Sequence, residues 1–137
     1  MKMFNNNKAL VLRFYEQVIN SHDLAAIVEL LSADFVHNGE ARGIQGQRKA
    51  IEALFAGLPD MKVTTEAAIA EEDLVVVRQS WTGTQTGRFL GIPPTNRPVL
   101  FTSMAMLRVV DGRIAEAWVN EDDLGLMRQL GAALPPP

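Results

Sequence analysis

The sequence contains no cysteine among its 137 residues, which excludes a disulfide framework and any thiolate metal site. No apolar run approaches the roughly 20 residues needed to cross a bilayer. There is no basic stripe either: 13 Lys and Arg are scattered among 16 Asp and Glu, for a formal net charge of −3. A nucleic-acid surface normally needs such basic residues clustered. The start, MKMFNNNKALVLRFYEQ, does not read as a secretory leader, because Arg13, Glu16 and Gln17 interrupt its apolar positions and no small-residue cleavage site follows. No His/Asp/Glu cluster has the spacing of a metal site. These absences point to a soluble cytoplasmic protein with no nucleic-acid partner and no membrane partner. What is present is a 47% apolar composition, enough to bury a core within one domain covering 1–137.

The period of the apolar residues changes midway. Residues 5 to about 20 read as a helix, with Asn5, Asn6 or Asn7 as its cap. Val11, Phe14, Tyr15, Val18 and Ile19 form its buried face. NSHD (20–23) breaks it, and Asp23 is placed to cap a second helix through Leu24, Ile27, Leu30 and Leu31. ADFVHNGEARG (33–43) reads as a short extended segment and a loop. GQRKAIEALFAGLPD is a third helix, with Ile51, Leu54, Phe55 and Leu58 as its stripe and Pro59 just past its end. From residue 61 the pattern alternates. MKVTTEAAIA, DLVVVRQSWTGTQTG, PVLFTSMAMLRVV and RIAEAWVNE are strand candidates. EED and Asp111-Gly112 are turns. GRFLGIPPTNRP is a longer connection whose prolines prevent regular pairing. DLGLMRQLG is a short last helix stopped by Gly131, and the AALPPP tail is expected to be loose. Helices, then an antiparallel meander, then a small helix predict an α+β cone: a curved antiparallel sheet wrapped around N-terminal helices, open at one end to a small-molecule pocket.

Strand phase decides which side chains face that pocket. Small residues in one phase suit the concave side: Phe101, Ser103, Ala105 and Leu107 on one strand, and Ala115, Ala117, Val119 and Glu121 on the last. Gln79 and Trp81 share a phase with Val77 and line the same wall, while Arg78 and Ser80 face the other way. Ile114, Glu116, Trp118, Asn120, Met104 and Met106 then lie on the convex face. That apolar convex surface predicts a homodimer or higher homo-oligomer formed sheet to sheet, the alternative being that it packs under the C-terminal helix.

The stretch IAEAWVNEDDLG (114–125) carries four carboxylates at the end of the last strand. Glu116 falls in the convex phase. Asp123 suits the first turn of a helix, where its charge favours the dipole. Asp122 is placed to cap that helix, with catalysis as the second role. Glu121 follows Val119 in phase, so it is either a base at the cone mouth or a solvated rim residue.

The segment GIPPTNRPV (91–99) resembles the Gly-Ile/Met-Pro-Pro-Thr segment of SnoaL-like polyketide cyclases, or ester cyclases, of the NTF2-like superfamily. Its surroundings agree: GTQTGRFLGIPPTNR, RVVDGRIAEAW and LMRQLG, together with RFYEQVINSHDL and IEALFAGLPDMKV. The resemblance spans nearly the whole chain. It implies a conical α+β barrel, an apolar pocket, an apolar small-molecule ligand and no cofactor. Family members of known activity close a ring in a polyketide methyl ester by intramolecular aldol condensation. The superfamily also includes ketosteroid isomerases and limonene-type epoxide hydrolases. The aldol step needs a base within reach of a carbon alpha to a carbonyl, a donor for the enolate oxygen and a folded substrate. In the cyclases the base is an aspartate on the last strand, helped by a histidine on the strand before. Aligned on the Asp-Gly turn and the RQLG end, those positions fall on Val119 and Ala105, neither of which can move a proton.

The remaining proton-carrying candidates are His37, Glu121, Asp122 and Tyr15. His37 alternates with Phe35 and is either an inward neutral imidazole able to act as base or donor near neutral pH, or a loop histidine bonded to backbone. Tyr15 on the buried helix face either donates to a carbonyl oxygen or fills the core. His22, beside Asp23 in a turn, reads as structural. Arg88 in the long connection would attract a carboxylate but is equally an ordinary exposed arginine. The ligand wall is expected to comprise Gln79, Trp81, Phe101, Ser103, Ala105, Ala117 and Val119. The reading is therefore a cyclase or isomerase for an apolar carbonyl compound. The alternatives are a non-catalytic binder on the same fold and, last, an epoxide hydrolase type, for which no inward Asp-Arg-Asp set can be assembled.

Overall fold

The computed structural model describes residues 2–132; the last five residues of the expected loose tail lie outside the described residues, as do the side chains of residues 2–5. Helix α1 (Lys2–Arg13) runs on without a break into a π-helical stretch, Phe14–Asn20. It begins ahead of Asn5, Asn6 and Asn7, so these sit inside the helix and do not cap it. The wider π turn lets sequence neighbours share one buried face: Phe14 and Tyr15, then Val18 and Ile19, all turn toward the core. Ser21 N–H closes the stretch on Glu16 O at 3.0 Å. His22 then takes a φ of 55° and stacks on Phe55, with ring centroids 4.1 Å apart, which makes it structural.

A short 3₁₀ turn, Leu24–Ala26, leads into α2 (Ile27–Leu30). Asp23 precedes it but caps nothing with its side chain. Its Oδ2 instead accepts from Gln17 Nε2 at 2.8 Å, a bond that ties the turn back to the first helix. Strand β1 (Leu31–His37) turns through Asn38 and Gly39, both at positive φ, into the two-residue β2 (Glu40–Ala41). Helix α3 (Gly43–Gly57) follows, then β3 (Lys62–Glu71), β4 (Leu74–Thr84), β5 (Pro98–Val110), β6 (Arg113–Glu121) and α4 (Asp123–Gln129). Gly131, at φ 74°, ends the last helix as expected.

The sheet has six strands in the order β2-β1-β6-β5-β4-β3. The meander from β3 to β6 is antiparallel throughout. The sheet as a whole is mixed rather than antiparallel, because β1 joins β6 in parallel. The long connection that a parallel pair requires is residues 38–112, which carry β2, α3 and the strands β3 to β5. Asn38 continues this pairing past the strand end, donating to Val119 O and accepting from Val119 N–H. On the free edge, the Asn20 side chain brackets Val63 in the same way, donating to its carbonyl and accepting from its N–H.

The inner face of the sheet is the core. Val75, Val77, Gln79 and Trp81 on β4 and Val99, Phe101, Ser103, Ala105, Leu107 and Val109 on β5 are all buried. They pack against Val11, Val18, Ile27, Leu30 and Ile51 of the helices. Each fully buried Leu or Ile contributes roughly 1.5–3 kcal/mol. On β6 the expected phase holds from Glu116 onward and fails before it. The register skips a residue at Ala115, so that Arg108 faces Glu116 while Val109 faces Ile114. This bulge turns Ile114 fully inward, not outward with Trp118. A second bulge at Glu66 on β3 adds curvature at the opposite edge.

The convex face carries an apolar row in register across the meander: Ile69, Val76, Met106 and Trp118 are successive cross-strand partners. Helix α4 does not cover Ile69 or Met104, which are 67% and 48% exposed. It lies instead along β5 beyond the end of β6. There the Gln129 side chain bonds both the N–H and the carbonyl of Leu100.

Candidate functional site

The mouth of the cone holds a cavity of about 240 Å³. The π-helical stretch contributes Phe14, Tyr15 and Ile19; the hairpin region contributes His37 and Arg42; α3 contributes Gln47, Ala50, Ile51 and Leu54; and the sheet contributes Trp81, Val119 and Glu121. A larger depression, about 490 Å³, lies outside between the first helix and β3, lined by Leu12, Glu16 and Thr64 among others. Another, about 200 Å³, lies by Arg78, Met104 and Asn120 and also reaches Ser103 and Glu121, but not Tyr15 or His37. The cavity at the mouth is the candidate site because Tyr15, His37 and Glu121 line it together and burial has moved all three from their ordinary protonation range.

Burial raises the Tyr15 phenol, and the neighbouring Glu121 charge raises it further, so the hydroxyl stays protonated and can only donate or accept a hydrogen bond. Glu121 stays exposed at the rim of the cavity, yet partial desolvation raises its carboxyl, with Asp123 adding to the effect by repulsion and by a hydrogen bond. Burial lowers the His37 imidazole; the nearby Arg42 lowers it further and Glu40 partly offsets this. His37 Nδ1 is buried with no hydrogen-bond partner among the described residues. Buried polar atoms normally have one, so this atom is a candidate for contact with a ligand. The expected alternation holds: Phe35 is buried in the core and His37, with its ring 6.4 Å away, faces the void.

The back wall is tied together by one hydrogen bond and ring stacking. Trp81 Nε1 donates to Ser103 Oγ at 2.9 Å, and the indole stacks on Phe101 with centroids 6.0 Å apart. Tyr15 meets Trp81 edge-on at 6.2 Å and Phe14 at 5.3 Å. The Arg42 side chain is tied to Gln47, whose Oε1 accepts from Nη1 at 2.8 Å.

Of the residues expected in the site, Tyr15, His37, Trp81, Val119 and Glu121 line this cavity. Gln79, Phe101, Ser103, Ala105 and Ala117 also face inward but are packed into the core and do not line the void. Gln79 donates to Thr65 Oγ1 and leaves its own Oε1 without a partner. Asp122 caps α4, accepting from Gly125 N–H at 3.0 Å, and lies on the outward side of the strand end. Arg88 bonds Gly91 O within its own loop. Sequence reasoning missed Arg42 and Gln47. Arg42 stands in a loop with no periodic signal, and the stripe of α3 shows which residues are buried but not which of them border empty space. Among the described residues, no group of three His, Asp or Glu could hold a metal ion, and no helix is long and apolar enough to cross a membrane.

Comparison with known proteins agrees with this architecture. The sequence profile described as SnoaL-like polyketide cyclase matches residues 9–130. Nogalonic acid methyl ester cyclase of Streptomyces nogalater is 33% identical over 78 residues, a match spanning 52% of this chain and 58% of that enzyme. The structure of TsrD from Streptomyces laurentii superposes with a TM-score of 0.87 at 31% identity, covering 94% of this chain and 97% of TsrD. That of IdmH from Streptomyces antibioticus gives 0.81 at 32% identity, covering 92% and 99%.

Proposed function

Because the chain belongs to the SnoaL-like polyketide cyclase family, we propose that it closes a ring in, or isomerises, an apolar carbonyl compound of polyketide type, with proton transfer moved away from the family's usual positions. The observation that carries this is the convergence of Tyr15, His37 and Glu121 on one apolar void whose wall at Val119 has no proton to give. The Glu121 carboxylate takes a proton from the carbon alpha to a carbonyl. Desolvation holds its carboxyl above the ordinary glutamate range, which strengthens it as a base. Tyr15 and neutral His37 donate to the enolate oxygen that forms. The enolate carbon attacks a second carbonyl of the same molecule, one carbon–carbon bond forms, and the alkoxide takes the proton back from Glu121. Trp81 and the apolar residues of α3 hold the chain bent, and such positioning can be worth up to roughly 7–11 kcal/mol in ideal cases.

A second reading, a non-catalytic binding protein, is favoured by one observation: Ala105 and Val119 are apolar and paired at the positions matched to the family's histidine and aspartate. Glu121→Gln and His37→Gln, assayed for product formation and for ligand affinity side by side, separate the two. An enzyme loses turnover and keeps binding; a binder has no turnover to lose.

The convex face supports self-association. The row Ile69, Val76, Met106 and Trp118 forms an apolar band, and Arg108 lies 5.8 Å over the Trp118 ring at its margin. A homodimer joining two such faces buries this band. Met106→Glu then yields a monomer by light scattering at micromolar concentration, and a wild-type monomer under the same conditions would contradict the dimer.

A further inference from the structure

We propose that Arg42, aimed by Gln47, is the anion-binding group of the cavity, so that the ligand is an apolar molecule carrying an anionic oxygen, as a carboxylate or as the enolate of a β-dicarbonyl. This rests on the cavity being the ligand site, as argued above.

Arg42 is the arginine that lines the cavity, and its side chain is largely withdrawn from solvent, 22% exposed. A guanidinium placed there needs partners, and it has few. Nη1 bonds Gln47 Oε1, which is neutral. Nε lies 3.5 Å from a Glu40 oxygen, longer than a good ionic hydrogen bond, and Glu40 is itself mostly exposed. No side chain caps the start of α3 at Arg42, and no acidic residue stands in that helix's first turn. The positive end of the helix dipole therefore adds to the guanidinium charge. Gln47 is buried and fixes the direction of the fork, so little further ordering is lost when a ligand oxygen binds. The other polar groups of the void do not compete. Tyr15 is a neutral donor, and His37 Nδ1 is an unpartnered atom open to a second ligand oxygen or its proton. Glu121, the cavity's carboxyl, stands on β6, a different element from the loop and helix that carry Arg42 and Gln47. The void thus combines an anion-seeking group, Arg42, a proton-carrying group, Glu121, and apolar side chains that include Phe14, Ile51 and Trp81. A ligand that fits carries one anionic oxygen on an otherwise apolar body.

The test uses the intact chain and three small probes at neutral pH: naphthoate, methyl naphthoate and the enolate of dimedone, titrated by calorimetry. Wild type is expected to bind naphthoate at least about tenfold more tightly than methyl naphthoate, a difference of about 1.4 kcal/mol. Arg42→Met is expected to abolish that preference while leaving the ester's affinity within about twofold. Gln47→Glu presents Arg42 with an internal carboxylate, and it is expected to do the same without removing the arginine. It serves if Arg42→Met fails to fold. Binding of the dimedone enolate that depends on Arg42 assigns the anion to an enolate; dependence seen with naphthoate alone assigns it to a carboxylate. Equal affinity of wild type for naphthoate and its ester, or equal weakening of both by the two substitutions, together with dimedone enolate binding that does not depend on Arg42, overturns the proposal and leaves the cavity reading standing. Absence of binding by every probe overturns the cavity reading and the proposal together.

Discussion

Ala105 and Val119 are direct cross-strand partners on β5 and β6, one buried in the core and the other bordering the cavity. In antiparallel strands such a pair lies within about 5.5 Å at Cβ. A histidine and an aspartate at these positions would touch, and the aspartate would face the void. Replacing both residues therefore tests what the pair does. Ala105→His with Val119→Asp is expected to raise the rate of intramolecular aldol closure of a β-keto ester by roughly 10²-fold, the low end of what positioned acid–base groups give. It should also cost roughly 1–3 kcal/mol of stability in urea melts, because a polar pair enters an apolar wall. An unchanged rate in a folded double variant would show that these positions do not govern proton transfer in this chain.

Glu121 is the second prediction. Glu121→Gln keeps the shape and hydrogen bonding of the side chain but removes its proton-transfer role. Turnover is expected to fall by about 10²-fold, with ligand affinity changed less than about threefold. Stopped-flow product formation and calorimetric affinity, measured on one preparation, check both halves.

The same substitution predicts a pH effect on stability. The folded state holds the Glu121 proton more tightly than the unfolded chain does, because burial and Asp123 disfavour the charge. Between the ordinary glutamate range and the raised value, the native state binds more protons, so stability falls as pH rises through that window. His37 acts in a different window. Its charged form is disfavoured by burial and by Arg42, so the native state binds fewer protons there and stability falls as pH drops through the ordinary histidine range. Glu121→Gln is expected to gain on wild type as pH rises above the ordinary glutamate range, and His37→Gln to gain on wild type on the acid side of the ordinary histidine range. Thermal melts across that span read both slopes.

The long connection between β4 and β5 yields a stability prediction. Gln85 is completely buried, and its amide ties the loop to itself. It donates to Ile92 O at 2.9 Å and Pro93 O at 3.2 Å, and accepts from Thr95 N–H at 3.0 Å and Thr95 Oγ1 at 2.6 Å. Gln85→Ala strands those groups and is expected to cost about 3 kcal/mol, with ligand affinity preserved because the loop does not line the cavity. A shift in urea midpoint at constant slope measures it.

That loop also shows what was legible in the sequence. Its GIPPT residues carry the strongest family likeness, yet in the fold they serve to fasten a connection, with Phe89 and Ile92 bridged and Gln85 beneath. The motif identifies the fold and does not point to the chemistry. The strands and their inward faces were legible because alternation over β4 and β5 is uninterrupted. Ile114 was not, because a bulge at Ala115 shifts the phase by one residue and leaves no compositional trace. The helix asparagines and Asp23 misled for a related reason: a cap depends on where a chain bends in space, and Asp23 found Gln17 instead. Tyr15, His37 and Glu121 could each be nominated singly from periodicity. Their meeting around one void, together with Arg42 and Gln47, depends on the parallel pairing of β1 with β6, a long-range contact that no local pattern announces.

The most direct measurement of proton transfer in the cavity needs no natural substrate. Exchange of the alpha protons of α-tetralone, an apolar ketone, is followed by NMR in heavy water with wild type and with Glu121→Gln, each at saturating ligand. The account predicts exchange well above buffer in wild type, reduced about 10²-fold by the substitution while the ketone remains bound. Ketone bound by wild type and exchanging no faster than in buffer would contradict it.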